Sequence, residues 1–176
     1  MLFGMDRSTV QIAGELREQV ASAAAQLRGA DEAWARSPVA PGKWSPCELI
    51  GHLVDSASNN HSRFVAALCK DDLVFDPYDQ DAWVEVQGYA KAPWGELLEL
   101  FEGLNLQVAR VMERAAPAVS EAPRRLHNLD RIAWETVPKD EPVSLAYFMR
   151  DYLGHLRAHL HGLDPALAGK PSLQRT

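Results

Sequence analysis

Two histidines near the C-terminal end of the sequence, His155 and His159, have a spacing that suits metal binding. They lie within residues 145–163, a segment with helical periodicity. Because four residues turn a helix through about 400°, both side chains lie on one face, one turn apart. Two imidazoles at this spacing can bind the same ion, as they do in the helical His-x3-His sites of zinc enzymes. The pair alone does not separate a metal site from ordinary surface or core histidines, so a third ligand decides the interpretation.

Four further histidines are available for the third position: His52, His61, His127 and His161. His52 and His61 share one predicted helix but lie roughly 180° apart around it, so at most one of them faces the interior. His52 has apolar neighbours and His61 has polar ones, so we expect His52 to face inward. His161 is about 200° from His159 and should point away, and His127 lies in a predicted loop.

His52, His155 and His159 would together form a site of three imidazoles in the protein interior. Three protein ligands with open coordination positions are typical of catalytic metal centres, whereas structural zinc usually has four. Neutral imidazoles bind zinc, nickel, copper and iron, so these ligands do not identify the metal. The spacing leaves one alternative open, in which His52 is a hydrogen-bonded core histidine and the other two face solvent.

Four long amphipathic segments would position these residues, at about 8–28, 45–69, 93–114 and 144–163. The clearest helix start is in the second, where Ser45 is the predicted N-cap, Pro46 the first helical residue and Glu48 the partner in a capping box. No convincing strand lies between the segments. We therefore predict an all-α four-helix bundle, one domain over 1–176 with its core at about 8–165. Long connections follow the second and third helices, and a short helix is predicted to begin at 81–83.

Length and composition exclude several classes of protein. The 176 residues suffice for one domain with a sizeable core. A net charge of −6 argues against sequence-independent binding of nucleic acid. No apolar run approaches the ~20 residues of a membrane span, and neither end resembles a secretion signal, so we expect a soluble cytoplasmic protein. Cys47 and Cys69 form no CxxC motif and are expected to be free thiols.

Three short motifs carry a resemblance to a known family. They are Trp44-Ser45-Pro46-x-Glu48-Leu-Ile-Gly-His52-Leu-Val-Asp55-Ser56 followed by Arg63-Phe64, then Pro77-Tyr78-Asp79-x-x-Ala82-Trp83, and finally Tyr152-x-x-His155-x3-His159. Their order and separation together resemble the DinB-like superfamily, in particular its YfiT branch of metal-dependent hydrolases. The resemblance covers most of the chain, from about Trp34 to Leu163.

The resemblance implies a four-helix bundle that holds one divalent metal ion through His52, His155 and His159. Zinc or nickel is the expected ion, with iron, manganese and copper as alternatives. Members of the superfamily are commonly homodimers. The better understood ones resemble S-transferases and isomerases in which the metal activates a low-molecular-weight thiol, and "hydrolase" is a name by analogy in the YfiT branch. Gly162 stands where relatives often have Gln or His, so any role of that position is absent here.

The first hypothesis is an enzyme whose metal activates water or a thiol for attack on a small electrophile. Asp55, about one turn from His52, is the candidate to orient a ligand or act as a base. Arg63, three turns from His52, is the candidate to bind an acidic substrate or the carboxylate of a thiol. Asp151, four residues before His155, could orient that histidine. Each of these charges could instead form a solvated helix face or a structural salt bridge.

Other readings of the sequence remain open. Tyr78, Asp79 and Trp83 are candidates for a lid, although Trp83 could equally be a packing anchor. Cys47 lies at a helix N-terminus, which favours a thiolate, but about 140° from His52, so it is a weak candidate nucleophile. Two non-enzymatic alternatives are a metal- or ligand-binding module, such as a stress protein, and a helical dimer with incidental histidines.

Overall fold

Four long helices form the framework of the computed structural model, which describes residues 8–163. They are α1 (Thr9–Leu27), α3 (Pro46–Leu68), α5 (Trp94–Arg114) and α8 (Leu145–Leu163), and four short helices lie between them: α2 (Glu32–Arg36), α4 (Gln80–Gln87), α6 (Pro117–Ser120) and α7 (Leu129–Ile132). Within the described range there is no β-strand, only two isolated bridges. The predicted all-α four-helix bundle with long second and third connections is confirmed. The outer limit of the predicted core, at 165, lies outside the described residues.

The packing of the long helices places α8, the last of them, beside α1 and α3. Helix α5 packs against α1 and α3, and α8 packs against the same two helices. A continuous cluster of buried apolar side chains connects all four, with Phe64, Phe101 and Phe148 among its largest members. As a result α3 and α8 lie side by side, and the polar residues on their inner faces meet.

Capping interactions set the start of α3, the helix that carries most of the polar residues of interest. The Ser45 backbone N–H donates to the Glu48 carboxylate at 2.8 Å, and the Glu48 N–H donates back to the Ser45 hydroxyl at 3.4 Å. Pro46 occupies the first helical position, where its missing N–H costs nothing. The predicted capping box is present, and the register that it imposes turns His52 toward the interior.

A glycine in α3 lets the connection between α3 and α5 approach that helix closely. A Cβ atom on Gly51 would lie 2.2 Å from the ring of Tyr89, so no larger residue fits without displacing it. Tyr89 belongs to a 3-10 turn, Tyr89–Lys91, and its hydroxyl donates to Asp55 Oδ1 at 2.7 Å. The segment that follows α4 is therefore fastened to the middle of α3.

Arg124 fastens the connection between α5 and α8 to the C-terminal end of α3. Its buried guanidinium donates to four backbone carbonyl oxygens, those of Ala67, Lys70, Asp72 and Val119. A cation is favourable at this position because the carbonyl groups at a helix C-terminus carry partial negative charge. The C-terminal end of α3 is thus the anchor for residues 119–124.

The two long connections are also joined to each other. Leu73 and His127 form a parallel backbone bridge. The side chain of Asn128 accepts from the Phe75 N–H at 3.1 Å and donates to the Phe75 carbonyl at 2.7 Å. These contacts fix residues 73–75 against 127–128, so the segments that follow in each connection face one another.

Three of the short helices, α2, α6 and α7, were not expected from the sequence. Helices of four or five residues gain little from their own hydrogen bonds and depend on the surrounding packing. The predicted short helix at 81–83 is α4, which begins after Asp79. In the described part of the chain, no helix has the length and apolar character needed to cross a bilayer.

Candidate metal centre

His52, His155 and His159 converge where α3 faces α8. One ring nitrogen from each lies within 4.8 Å of the other two. The Nε2 atoms of His52 and His155 are 3.2 Å apart. His52 is buried, and the other two side chains are half-buried. The structure therefore brings together the three residues selected from the sequence, while their binding of a metal stays a prediction.

The donor set fits a divalent transition metal. Two nitrogen ligands of a tetrahedral zinc ion, each about 2.0–2.1 Å from it, are about 3.3 Å apart. The distance of 3.2 Å between His52 Nε2 and His155 Nε2 is close to that value. Among residues 8–163, no carboxylate or thiol belongs to this cluster. Three imidazoles leave coordination positions for a small ligand, as catalytic sites do and closed structural sites do not.

The surroundings keep the three imidazoles neutral. Burial, with the neighbouring His159 as a lesser cause, lowers the pKa of His52 to about 4. Burial also lowers the pKa of His155 to about 3, with His159 and His52 as lesser causes. The pKa of His159 is lowered by burial as well. Neutral imidazole is the form that binds metals, so at pH 7 no proton has to leave before an ion can bind.

The other histidines and Cys47 lie elsewhere. His161 is exposed, and His61 is half-buried outside the cluster. His127 is buried at the junction of the two connections, where its Nε2 lies 2.8 Å from the Glu141 carbonyl oxygen. Burial raises the pKa of the Cys47 thiol, the opposite of what a nucleophilic cysteine needs.

A cavity of about 270 Å³ opens beside the three histidines. Helices α3 and α8 form its floor, and segments of both long connections form its walls. His52 and His155 line one part of it, and Arg63, Tyr78, Trp134 and Phe148 are among the other lining residues. The volume is near the lower end of the range for small-molecule sites, about 300–1,000 Å³. The cavity is suited to a small ligand.

Trp134, from the connection between α5 and α8, packs against the rings of His155 and His159. Its ring centroid is 5.4 Å from that of His155 and 5.8 Å from that of His159. Asp151 holds this segment in place, because its carboxylate accepts from the backbone N–H groups of Trp134 at 2.9 Å and Glu135 at 2.7 Å. Asp151 was a candidate to orient His155, but both of its carboxylate oxygens are engaged by this segment instead. Asp151 positions the tryptophan that contacts His155 and His159.

Ser56 is the residue that faces the second ring nitrogen of His155. Its Oγ lies 3.4 Å from His155 Nδ1. Asn60 donates to the Ser56 carbonyl oxygen at 2.9 Å and lies 3.4 Å from the hydroxyl. A hydroxyl that accepts from Nδ1–H fixes the tautomer in which Nε2 offers its lone pair to the cluster.

Asp55 is buried on α3 but is not among the residues that line the cavity. Its Oδ1 accepts from the Tyr89 hydroxyl at 2.7 Å and from Gln87 Nε2 at 2.6 Å. Burial raises the pKa of this carboxyl, and the two hydrogen bonds oppose that shift. These contacts tie α4 and the turn after it to α3. The role of Asp55 as a base stays a prediction, with no contact in the cavity to support it.

Arg63 does line the cavity, as does Tyr78 from the predicted lid. Arg63 Nη2 donates to the Asp76 carbonyl oxygen at 2.8 Å, and its guanidinium carbon lies 5.9 Å from the centroid of the Tyr78 ring. Trp83 packs against Tyr78, with ring centroids 4.9 Å apart. Asp79 caps α4 instead of facing the cavity.

The sequence analysis did not identify Trp134 and Arg131, which both line the cavity, as site residues, and it gave Ser56 no role. Residues 132–134 are an isolated apolar patch in a polar connection, and that pattern was the available signal for Trp134. Ser56 lies four residues after His52 on the same helix, so its placement on the inner face could have been derived from rotation.

The sequence comparisons find one matching family and several relatives named as metal-dependent hydrolases. Residues 12–162 match the DinB superfamily. A "Putative metal-dependent hydrolase" of Geobacillus thermodenitrificans is 24% identical over 103 residues, 58% of each chain. The "Putative metal-dependent hydrolase YfiT" of Bacillus subtilis is 34% identical over 67 residues, 38% of each chain. The matched regions thus span about half the length of these curated relatives.

The structural comparison finds the same fold. It matches a solved structure described as "YfiT from Bacillus subtilis is a probable metal-dependent hydrolase with an unusual four-helix bundle topology", with a TM-score of 0.74 and 19% identity. The alignment covers 94% of this chain and 91% of the other. At this identity the match shows the fold alone. The sequence match over residues 12–162 covers most of the chain, and it shows that this protein belongs to the DinB superfamily.

Proposed function

We propose that this protein is a metal-dependent enzyme that activates water or a low-molecular-weight thiol for attack on a small electrophile. His52, His155 and His159 would hold one divalent transition metal ion. The observation that carries this proposal is the convergence of three neutral imidazoles beside a cavity of about 270 Å³. A non-catalytic metal-binding module needs no such cavity next to its ion.

The chemistry comes from both the ion and the residues around it. A divalent ion held by His52, His155 and His159 would supply Lewis acidity, which favours the deprotonated form of water or of a thiol. The apolar environment keeps the three rings neutral, and Ser56 orients His155. Trp134 and Phe148 make part of the cavity wall apolar. Zinc and nickel are the ions we propose, since both bind imidazole well.

Metal analysis tests the site. Protein purified without a histidine tag and without chelators should contain about one transition metal ion per chain, measured by elemental analysis. His155→Ala should lose most of it, because two imidazoles bind more weakly than three. His161→Ala is the matched control, since His161 is on the same helix but exposed. Equal metal content in His155→Ala and the unaltered protein would contradict the three-histidine site.

A turnover screen tests the reaction class. Thiol transfer is measured with monochlorobimane and a panel of low-molecular-weight thiols, and hydrolysis with ester and amide substrates. We expect turnover in one of the two classes that disappears on metal removal and in His155→Ala. Inactivity of the metal-loaded protein in both classes would favour the non-catalytic binding module.

A further inference from the structure

Arg63 is a buried cation without a paired anion. Its side chain is 8% exposed. Of its five N–H donors, one has an acceptor among the described residues, the Asp76 carbonyl oxygen at 2.8 Å. Within residues 8–163, no carboxylate lies within 4.0 Å of the guanidinium. A buried charge without a partner is costly, so this arrangement favours a ligand that supplies the missing anion.

The acids near Arg63 do not form an ion pair with it, although attraction from the Asp76 carboxylate partly opposes the larger lowering of its pKa by burial. Asp76 offers its backbone carbonyl, and the residue is otherwise exposed. Asp151, an acid that lines the same cavity, uses both carboxylate oxygens to accept from the backbone of residues 134 and 135. Arg131, which is exposed, adds a second positive charge to the lining. Two arginines therefore line this cavity, and the acid in its lining, Asp151, is already engaged by the backbone.

The cation and the histidine cluster lie at different places in one cavity. His52 and Arg63 are three turns apart on nearly the same face of α3, about 16 Å apart along the helix axis at 1.5 Å per residue. Helical side chains lean toward the N-terminus, so the long arginine side chain extends back toward the histidines. Tyr78, Trp134 and Phe148 contribute aromatic surface to the same cavity. A ligand that reaches both places must be elongated.

We propose that the substrate or co-substrate of this site is a small elongated carboxylic acid whose carboxylate binds Arg63 while its reacting group lies at the three histidines. The planar guanidinium can donate two parallel hydrogen bonds to a carboxylate, a geometry that an ammonium group lacks. An apolar spacer between the two ends matches the aromatic lining. The reacting end of this proposal rests on the metal centre proposed above, and the carboxylate end rests on Arg63 alone.

The test uses cobalt-loaded protein and ligands that differ only in charge and length. The ligands are 3-mercaptopropionate, 6-mercaptohexanoate and 8-mercaptooctanoate, each compared with its primary amide. Binding of the thiolate to cobalt is followed by its charge-transfer absorption. We expect the acid to bind roughly 10- to 100-fold more tightly than the amide once the chain is long enough to reach Arg63, and less preference for the shortest acid.

Variants then assign the preference to Arg63. Arg63→Gln should remove the preference for the acid while the cobalt absorption persists, and Arg63→Lys should keep part of it, because the charge remains without the planar fork. Arg110→Gln is the matched control, since Arg110 is exposed on α5, and it should keep the full preference. Circular dichroism checks that each variant is folded.

Two results would overturn the proposal. One is equal affinity for acid and amide at every length in the unaltered protein, a comparison that needs no variant. The other is an undiminished preference in folded Arg63→Gln. Failure of cobalt binding would instead count against the metal centre. In that event, calorimetric titration of the metal-free protein tests whether Arg63 binds a carboxylate. Hexanoate should bind more tightly than hexanamide, and equal binding would contradict the role of Arg63.

Discussion

At the scale of single residues, the geometry of the histidine cluster depends on hydrogen bonds made by side chains outside it. Ser56 faces His155 Nδ1 at 3.4 Å, and Asp151 binds the backbone of residues 134 and 135. The first contact orients a proposed metal ligand, and the second places Trp134 beside it. Their removal should affect different measurements, which makes the two roles separable.

Ser56→Ala should weaken metal binding without unfolding the protein. Loss of the hydroxyl leaves His155 Nδ1 without its partner, and changes of this kind typically cost 10- to 100-fold in metal affinity. Alanine is a good helix former, so α3 itself should not suffer. Affinity is measured by competition with a chromophoric chelator. Ser56→Thr keeps a hydroxyl and should bind metal more tightly than Ser56→Ala, and equal affinity of Ser56→Ala and the unaltered protein would refute the role.

Asp151→Asn should loosen the segment around Trp134. An amide offers one acceptor oxygen where the carboxylate offers two, and it carries no charge. Hydrogen bonds to charged groups contribute about 1.5–3 kcal/mol, so we expect the free energy of unfolding to fall by roughly that amount. Hydrogen exchange of the Trp134 and Glu135 amides should accelerate. Asp140→Asn, an exposed change in the same connection, is the control, and unchanged exchange in Asp151→Asn would exclude this positioning role.

At the scale of elements, α3 connects the histidine cluster to the long connections. It carries His52, Ser56 and Arg63, and its close contact with Tyr89 positions the segment after α4. Rotation around the helix showed that His52 and His61 cannot both face the interior, and the apolar neighbours of His52 identified it as the inward one. The same reasoning failed for Asp151, because helical spacing reports only neighbours on one helix. Its actual partners, Trp134 and Glu135, come from a loop that packs back.

Gly51→Ala tests the contact between α3 and Tyr89. The new Cβ would lie 2.2 Å from the tyrosine ring, so the ring must move and its hydrogen bond to Asp55 is disturbed. Overpacking of this kind costs about 1–3 kcal/mol, more than the ~1 kcal/mol that alanine gains over glycine in a helix. We expect a lower midpoint in urea denaturation.

Gly103→Ala is the matched control for this change. Gly103 is in α5, and a Cβ there has no neighbour within 4 Å. This variant should gain up to ~1 kcal/mol from helix propensity alone. Equal stabilisation of the two variants would show that Tyr89 does not depend on the glycine.

At the scale of the whole molecule, the proposed metal ligands join distant parts of the sequence. His52 and His155 are separated by 103 residues, and they belong to the two long helices between which the cluster lies. An ion that binds only the folded state stabilises it by about 2.7 kcal/mol at 100 times its dissociation constant. We therefore expect zinc to raise the midpoint of urea denaturation and a chelator to reverse the effect. His159→Ala should show no such response, and superimposable curves for the unaltered protein with and without metal would contradict the site.

The bundle could be predicted from the sequence because apolar periodicity and caps are local signals. The rest depended on long-range packing. The junction of Phe75 with Asn128, which sets the cavity walls, joins residues 53 positions apart that show no pattern in common.

Self-association, which the family resemblance implies, stays a prediction. Sedimentation velocity would test it, with a species of two chains as the expected result.

The position of Trp134 gives the protein an optical property of its own. The sequence contains five tryptophans, and the indole rings of two of them, Trp134 and Trp44, lie within 6 Å of a histidine of the cluster. Copper, nickel and cobalt ions have partly filled d shells and quench excited indoles at such short range, whereas zinc has a filled shell and does not. The intrinsic fluorescence of this protein should therefore distinguish the metals it binds without any added dye or substrate.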